Sequence, residues 1–346
     1  MALLSGGHSD FFGLDIGTTG LRAVQLRGSG PVKVLERYGE VSLDPSIASG
    51  ETIADKQRFA HLLAQLVKQA GITTKNVAVN LPSNKVFSAI VDMDRLEPNE
   101  LAKAIKYQAG SFIPTPLAKS KIDWAIVGDS PTDAEKVEIL LTSTPNEVVE
   151  DRMEMLEAIG LDVIAIEPDS MALARSMIQP DATTPQMVLD IGNIVADVVI
   201  VMNGVPRLTR AIPLGTQALV RVASENLGVD PSQARQFIFK FGLGRDKLEG
   251  KIYSALAPSI ENLMVELEKS IKFFQQRYNT PVERIIVTGG ASAIPELPLY
   301  IANKFGISVE IGNAWRNVSV PADRQNELMA VSGHFAVAAG LAERVA

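Results

Sequence analysis

The feature that most constrains this chain is a repeat. Leu14-Asp15-Ile16-Gly17 and Leu189-Asp190-Ile191-Gly192 lie in opposite halves of its 346 residues. Each closes one apolar run and precedes another, so each reads as a strand–turn–strand hairpin. A further strand, 285–287, ends in Thr288-Gly289-Gly290. One Asp-Ile-Gly is an ordinary turn. Two in separate halves, with a later Gly-Gly turn, point to a duplicated architecture. Glycine lets backbone N–H groups approach anionic oxygens with no Cβ in the way. Two such hairpins can clamp a polyphosphate from both sides, and an Asp at each strand end suits hydrated Mg²⁺. The expected phosphate site is therefore Asp15, Gly17, Thr18, Thr19 and Arg22 on one side, and Asp190, Gly192 and Asn193 on the other. Gly289, Gly290 and Ala291 complete it, and Asp15 and Asp190 hold Mg²⁺ through water. A helix expected from Ala293 aims its N-terminus at the nucleotide.

The rest of the chain alternates strands and helices. Residues 52–70 carry a stripe of Phe59, Leu62, Leu63, Leu66 and Val67 and predict a helix stopped by Gly71. Residues 42–49 read as loop. Strands are expected at 77–81, 86–91, 122–127 and 137–142, and helices at 98–112 and 145–158, with Ile113-Pro114-Thr115-Pro116 breaking the first. The stretch 86–162 is thus a β-α-β-β-α unit of its own. The second half predicts strands at 195–202 and 205–212 and helices at 216–227, 231–241 and 258–278. A small-residue helix at 327–344 contains Gly333 and Gly340. The expected division is 1–85, 166–185 and 321–346 for a first lobe, 86–165 for an insert, and 186–320 for a second lobe.

Composition narrows the partners. The net charge is -7, which gives no general attraction to nucleic acid or anionic lipid. With no cysteine there are no disulfides, thiolate metal sites or thiol nucleophiles, which fits a reducing compartment. His8, His61 and His334 are far apart, so a His-rich metal site is not expected, and His61 reads as an exposed flank of its helix. No export signal or bilayer-length apolar stretch is visible. A soluble, cytoplasmic protein is expected, meeting the membrane only through a partner.

This ordered set resembles the actin, heat-shock chaperone and sugar-kinase superfamily over nearly the whole chain. The phosphate loops match at 14–24 and 188–201, the adenosine loop at 285–295, and the inter-domain helices at 168–176 and 336–342. Actin and the chaperones lack the 86–162 unit. The cell-division protein FtsA and the PilM family of type IV pilus proteins carry one. Ile113-Pro114-Thr115-Pro116 with Ile122-Asp123-Trp124, then Arg210-Ala211-Ile212-Pro213-Leu214-Gly215, and the run Ala336 to Ala342 are similar to the PilM family. FtsA normally adds a C-terminal amphipathic membrane helix, and this sequence stops at Ala346 with none.

The resemblance implies an α/β, actin-like (ribonuclease H-like) two-lobed ATPase fold with an inserted β-α-β-β-α subdomain. It implies ATP or ADP with Mg²⁺ in the cleft, and a scaffold role at the inner-membrane base of the pilus machine. The implied partners are the cytoplasmic N-terminal peptide of PilN, other platform proteins and motor ATPases. The peptide would lie between first lobe and insert. Phe112, Ile113 and Trp124 are candidate groove residues, with subdomain core as their other reading. Two departures weaken the nucleotide site. Asn193-Ile194-Val195-Ala196 stands where relatives carry hydroxyls, and Arg235 and Ile238 where they carry Glu and Lys. Each lost contact costs about 1–3 kcal/mol, so affinity is expected to be weak or lost. Glu167 and Asp169 read as helix-start residues rather than bases, so at most slow ATP hydrolysis is expected. The alternatives are an FtsA-like filament former and a small-molecule kinase of the same superfamily.

Overall fold

The computed structural model describes residues 10–28, 30, 32–48 and 52–345. His8, Ser49 of the expected loop, and Ala346 are among the residues outside them. In chain order the first half contains β1 (Phe12–Ile16), β2 (Gly20–Arg27), β3 (Lys33–Ser42), α1 (Pro45–Ala48), α2 (Ile53–Ala70) and β4 (Asn76–Leu81). There follow β5 (Phe87–Asp94), α3 (Pro98–Phe112), β6 (Ser120–Asp129), β7 (Lys136–Pro145), α4 (Asn146–Glu157), β8 (Asp162–Pro168) and α5 (Asp169–Met177). The second half contains β9 (Gln186–Ile191), β10 (Ala196–Met202), β11 (Val205–Ile212), α6 (Thr216–Leu227), α7 (Pro231–Phe241) and α8 (Lys251–Tyr278). It ends with β12 (Arg284–Thr288), α9 (Leu297–Phe305), β13 (Ser308–Ile311), β14 (Val318–Ser319), α10 (Gln325–Val331) and α11 (Ala336–Ala342).

The sequence repeat is a repeat of topology. The first-lobe sheet runs β14-β3-β2-β1-β4-β8 and the second-lobe sheet β11-β10-β9-β12-β13. In each, an antiparallel meander is followed by parallel strands returning through helices. Both central sheets are covered on two faces, so their central strands are mostly apolar, as in Val198 to Val201 of β10. The first-lobe core gathers Phe12, Leu14, Phe59 and Leu63. The second gathers Leu189, Leu263, Leu267 and Phe274. Between the sheets α5 crosses α11, where Ser176 Oγ donates to the Ala336 carbonyl at 2.7 Å. Only glycine fits at 340, because a Cβ there would stand 2.0 Å from the Ala172 carbonyl oxygen. α2 begins at the Thr52 cap, whose hydroxyl accepts from Asp55 N–H, and ends on Gly71 at φ 70°.

The insert is a separate antiparallel sheet, β5-β7-β6, packed on α3 around Val91, Leu101, Ile105 and Ile139. The packing draws its far boundary earlier than residue 165. Val149 and Leu156 of α4 join the first-lobe core, and β8 pairs with β4.

Elsewhere the structure departs from the sequence pattern. α8 starts at Lys251, before Pro258, because Ile252 and Leu256 are buried with Ile260 in the second core and hold the helix through the proline. Residues 45–48 form one helical turn behind Asp44, which accepts from Ser46 N–H at 2.8 Å. The expected helix at 327–344 is two helices, broken by a tight turn at Ser332–His334. No helix starts at Ala293. A tight turn spans Gly290–Ala293, and α9 follows Glu296, held at φ 64°.

Candidate functional site

The two Asp-Ile-Gly hairpins converge on one cleft between the lobes. Its cavity, about 340 Å³, is lined by Asp15, Gly17, Thr18, Thr19 and Arg22 from the first hairpin. Asp190, Gly192 and Asn193 face them from the second, with Gly289 and Gly290 beside them. Ala291 departs from the expectation: its side chain is fully buried in the second-lobe core, because the tight turn after Gly290 rotates it inward.

The first-lobe wall is a bonded chain. Asp15 lies opposite Arg22 on β1 and β2, and Arg22 Nη1 reaches Asp15 Oδ2 at 3.3 Å. Arg22 also binds Glu40 of β3 at 2.8 Å, and Glu40 meets His334 Nδ1 at 3.3 Å. The His334 and Arg22 contacts hold the Glu40 carboxyl below its usual range. Asn80 closes the other side. Its amide nitrogen donates to Asp15 at 3.0 Å and to Asp169 at 2.8 Å, and its oxygen accepts from Ile16 N–H at 2.8 Å. Burial raises the Asp15 carboxyl, and the Arg22 guanidinium pulls it back.

The second-lobe wall is acidic. Asp190 pairs across β9 and β10 with Asp197. Burial, then the Asp197 and Asp15 charges, push Asp190 up to about 8. Burial pushes Asp197 up to about 7, partly offset by the Ser83 hydroxyl. Asp197 Oδ1 is buried with no hydrogen-bond partner among the described residues. Asp169, at the first turn of α5, is raised well above the carboxylate range by burial and by Asp197, Asp15 and Asp190. Its carboxylate caps no N–H group of α5; it binds Asn80 and faces the cleft. Glu167 instead holds Arg175 with two contacts, 2.7 and 3.1 Å, away from the cavity.

The four aspartates around the cavity, Asp15, Asp169, Asp190 and Asp197, repel one another, and a divalent cation relieves that repulsion. Among the described residues no three acids or histidines stand close enough to cage a bare ion. Side chains spaced this way could hold a cation only through its waters. The cradle is glycine-built. A Cβ at Gly289, whose φ is 78°, would stand 2.2 Å from Asp190 Oδ1, while nothing stands within 4 Å of one at Gly290.

A structural-family match decides the assignment. The chain matches the model described as "Type IV pilus assembly protein PilM" over residues 13–346. It belongs to that family. Among solved structures it is similar to a PilM–PilN type IV pilus biogenesis complex, at 23% identity and TM-score 0.83, covering 97% of this chain and 98% of that one. It is also similar to the ethanolamine utilization protein EutJ from Carboxydothermus hydrogenoformans, at 15% identity, 98% and 92% coverage and TM-score 0.56. MreB5 of Spiroplasma citri bound to AMPPNP matches at 15% identity, 97% and 95% coverage and TM-score 0.52. The fold is actin-like, with the PilM-type insert.

Several cleft residues carry no site expectation from the sequence: Glu40, Asn80, Asp197, Thr216 and His334; Asp169, read there as a helix-start residue, joins them. Two had a signal. Asn80 is the polar residue near the carboxyl end of a parallel strand, where ligands bind in such sheets. Asp197 interrupts an otherwise apolar β10. Thr216, opening α6, donates its hydroxyl to Asn193 Oδ1 at 3.2 Å and so returns a hydroxyl to the second loop from outside it. Arg235 lines the cleft, whereas Ile238 is core. The groove residues divide. Ile113 is buried in the insert core, the second of its two expected readings, because the Pro114 break folds it under α3. Trp124 packs partly buried against the same core, and Phe112 is exposed.

Proposed function

We propose that this PilM-family chain is a scaffold of the type IV pilus inner-membrane platform that captures the cytoplasmic N-terminal peptide of PilN. The observation that carries this is the match along 97% of the chain to a PilM–PilN complex. A cavity of about 520 Å³ opens where the three parts meet, walled by Val86 and Phe87 of the insert side, Pro168 of the first lobe, and Val195 and Pro213 of the second. An apolar groove beside an independent small sheet suits an extended peptide. No helix among the described residues is long and apolar enough to cross a membrane, so in this reading the chain is cytoplasmic and meets the membrane through PilN. Other platform proteins and motor ATPases are its further partners.

The cleft takes ATP or ADP as a conformational ligand. Bound Mg²⁺ neutralises phosphate charge there. Asp15 and Asp190 would hold its waters, the Gly17 and Gly192 turns would present N–H groups, and Thr18, Thr19, Asn193 and Gly290 would line the phosphates. Arg22 is already committed to Asp15 and Glu40, so it stiffens the wall more than it reaches phosphate. Pull-down with a PilN-type N-terminal peptide tests the reading. Retention above a scrambled peptide is expected, and equal retention of both would refute it.

A further inference from the structure

The insert is joined to the first lobe by its chain. It leaves β4 through 82–86 and returns into α4 at 145–146, and Thr144 Oγ1 ties the two crossings by donating to the Lys85 carbonyl at 2.9 Å. Its strongest charged contact goes elsewhere. Glu138 of β7 is 0% exposed and accepts from Arg207 of β11, from Arg277 Nε at 2.8 Å and from the Tyr278 hydroxyl at 2.9 Å, the last two at the end of α8. Arg277 also binds Asp92 of β5, opposite Glu138 in the insert sheet, at 2.8 Å. Both guanidinium groups lie near the Tyr278 ring, at 5.9 and 5.7 Å. The fit is close. A Cβ at Gly128 of β6 would stand 2.6 Å from Arg207 Nη2.

Pulling the insert off the second lobe would strip buried Glu138 of both arginines and its tyrosine donor and leave its charge, and that of buried Arg207, uncompensated. The two chain crossings to the first lobe impose no such penalty on rotation. We infer that the insert is mechanically part of the second lobe, clasped at Glu138, and follows it when the cleft opens or closes. The side of the peptide cavity formed by Pro168 and Ser170 of the first lobe then moves relative to the insert as the cleft opens, while its Val195 and Pro213 wall travels with the insert. The identity of the groove's occupant rests on the PilN reading above, but the mechanical coupling does not.

The chain has no cysteine, so introduced pairs label uniquely. Lys103→Cys on the insert is paired with Gln65→Cys on the first lobe or with Glu225→Cys on the second, and distances are read by pulsed electron resonance with and without Mg–AMPPNP. The insert-to-second-lobe distribution is expected to be the narrower, and to stay unshifted by nucleotide. Glu138→Gln broadens it. Should that variant not fold, Asp92→Asn, which removes only the outer contact, broadens it less. An insert-to-second-lobe distribution broader than the insert-to-first-lobe one, or unmoved by either variant, overturns the clasp. In a second arm a labelled PilN-type peptide is titrated. Wild-type affinity is expected to change severalfold with nucleotide, and Glu138→Gln to erase most of that change. A change that survives in the variant counts against the clasp alone. Absence of any peptide binding by wild type counts against the PilN reading alone, with the clasp then judged on the distances.

Discussion

The two hairpins carry the same four residues and end in different environments. Asp15 is answered within its own lobe by Arg22 and Asn80, and through Arg22 by Glu40 and His334. Asp190 faces Asp197 across its sheet, and both are driven toward the neutral form. A motif therefore sets where a carboxylate stands, and its neighbours set whether that carboxylate is structural or awaits a ligand. The first hairpin is the braced wall of the cleft, and the second is the wall whose charge is left unanswered by its neighbours.

The largest expected effect separates the glycines. Gly289→Val destabilises by about 3 kcal/mol, since φ 78° and the 2.2 Å approach to Asp190 both forbid a side chain. Gly17→Ala, where a Cβ would meet its nearest neighbour at 3.1 Å, costs roughly 1 kcal/mol or less. Urea unfolding distinguishes them, and equal costs would show that the Gly289 turn beside Asp190 is no tighter than the first hairpin. Next come the aspartates. Asp15→Ala takes one of two acidic partners from each of Arg22 and Asn80, which keep Glu40 and Asp169, and is expected to cost about 1–2 kcal/mol. Asp190→Asn relieves a crowded acid, leaving nucleotide-free stability unchanged or raised.

Stability against pH sharpens the contrast further. Asp190 and Asp197 bind their protons more tightly folded than unfolded, whose ordinary value is 3.8. Their contribution is therefore fullest below that value and is lost as pH rises through about 7 and about 8. The decline is at most about 1.4 kcal/mol per pH unit for each group. Asp190→Asn and Asp197→Asn should flatten it in chemical denaturation at graded pH, and an unchanged slope would assign it to other groups. The smallest effect is Thr216→Val. Loss of its bond to Asn193 should cost about 1 kcal/mol or less in unfolding while weakening nucleotide binding in titration.

The duplicated frame was legible because it rests on local signals. Apolar runs ended by Asp-Ile-Gly mark β1 and β9, and Thr52 and Gly71 bracket α2 as their chemistry demands. What stayed hidden depends on distant packing. β3, β8 and β14 are recognisable only once their partners are in place. Pro258 reads as a helix start, and only the second core shows that α8 runs through it. The site divides in the same way. Turn residues announced themselves, but Asn80, Asp169, Asp197 and Glu40 come from four separate elements, and nothing local in the sequence marks their convergence.

Calorimetric titration of Mg–ADP into wild type and Asp190→Asn tests the central claim that both hairpins serve one nucleotide cleft. The account predicts one site per chain, weak for this fold, with affinity falling about tenfold or more in the variant. No heat and no thermal stabilisation of wild type at millimolar Mg–ADP, or equal binding by the two proteins, would contradict it.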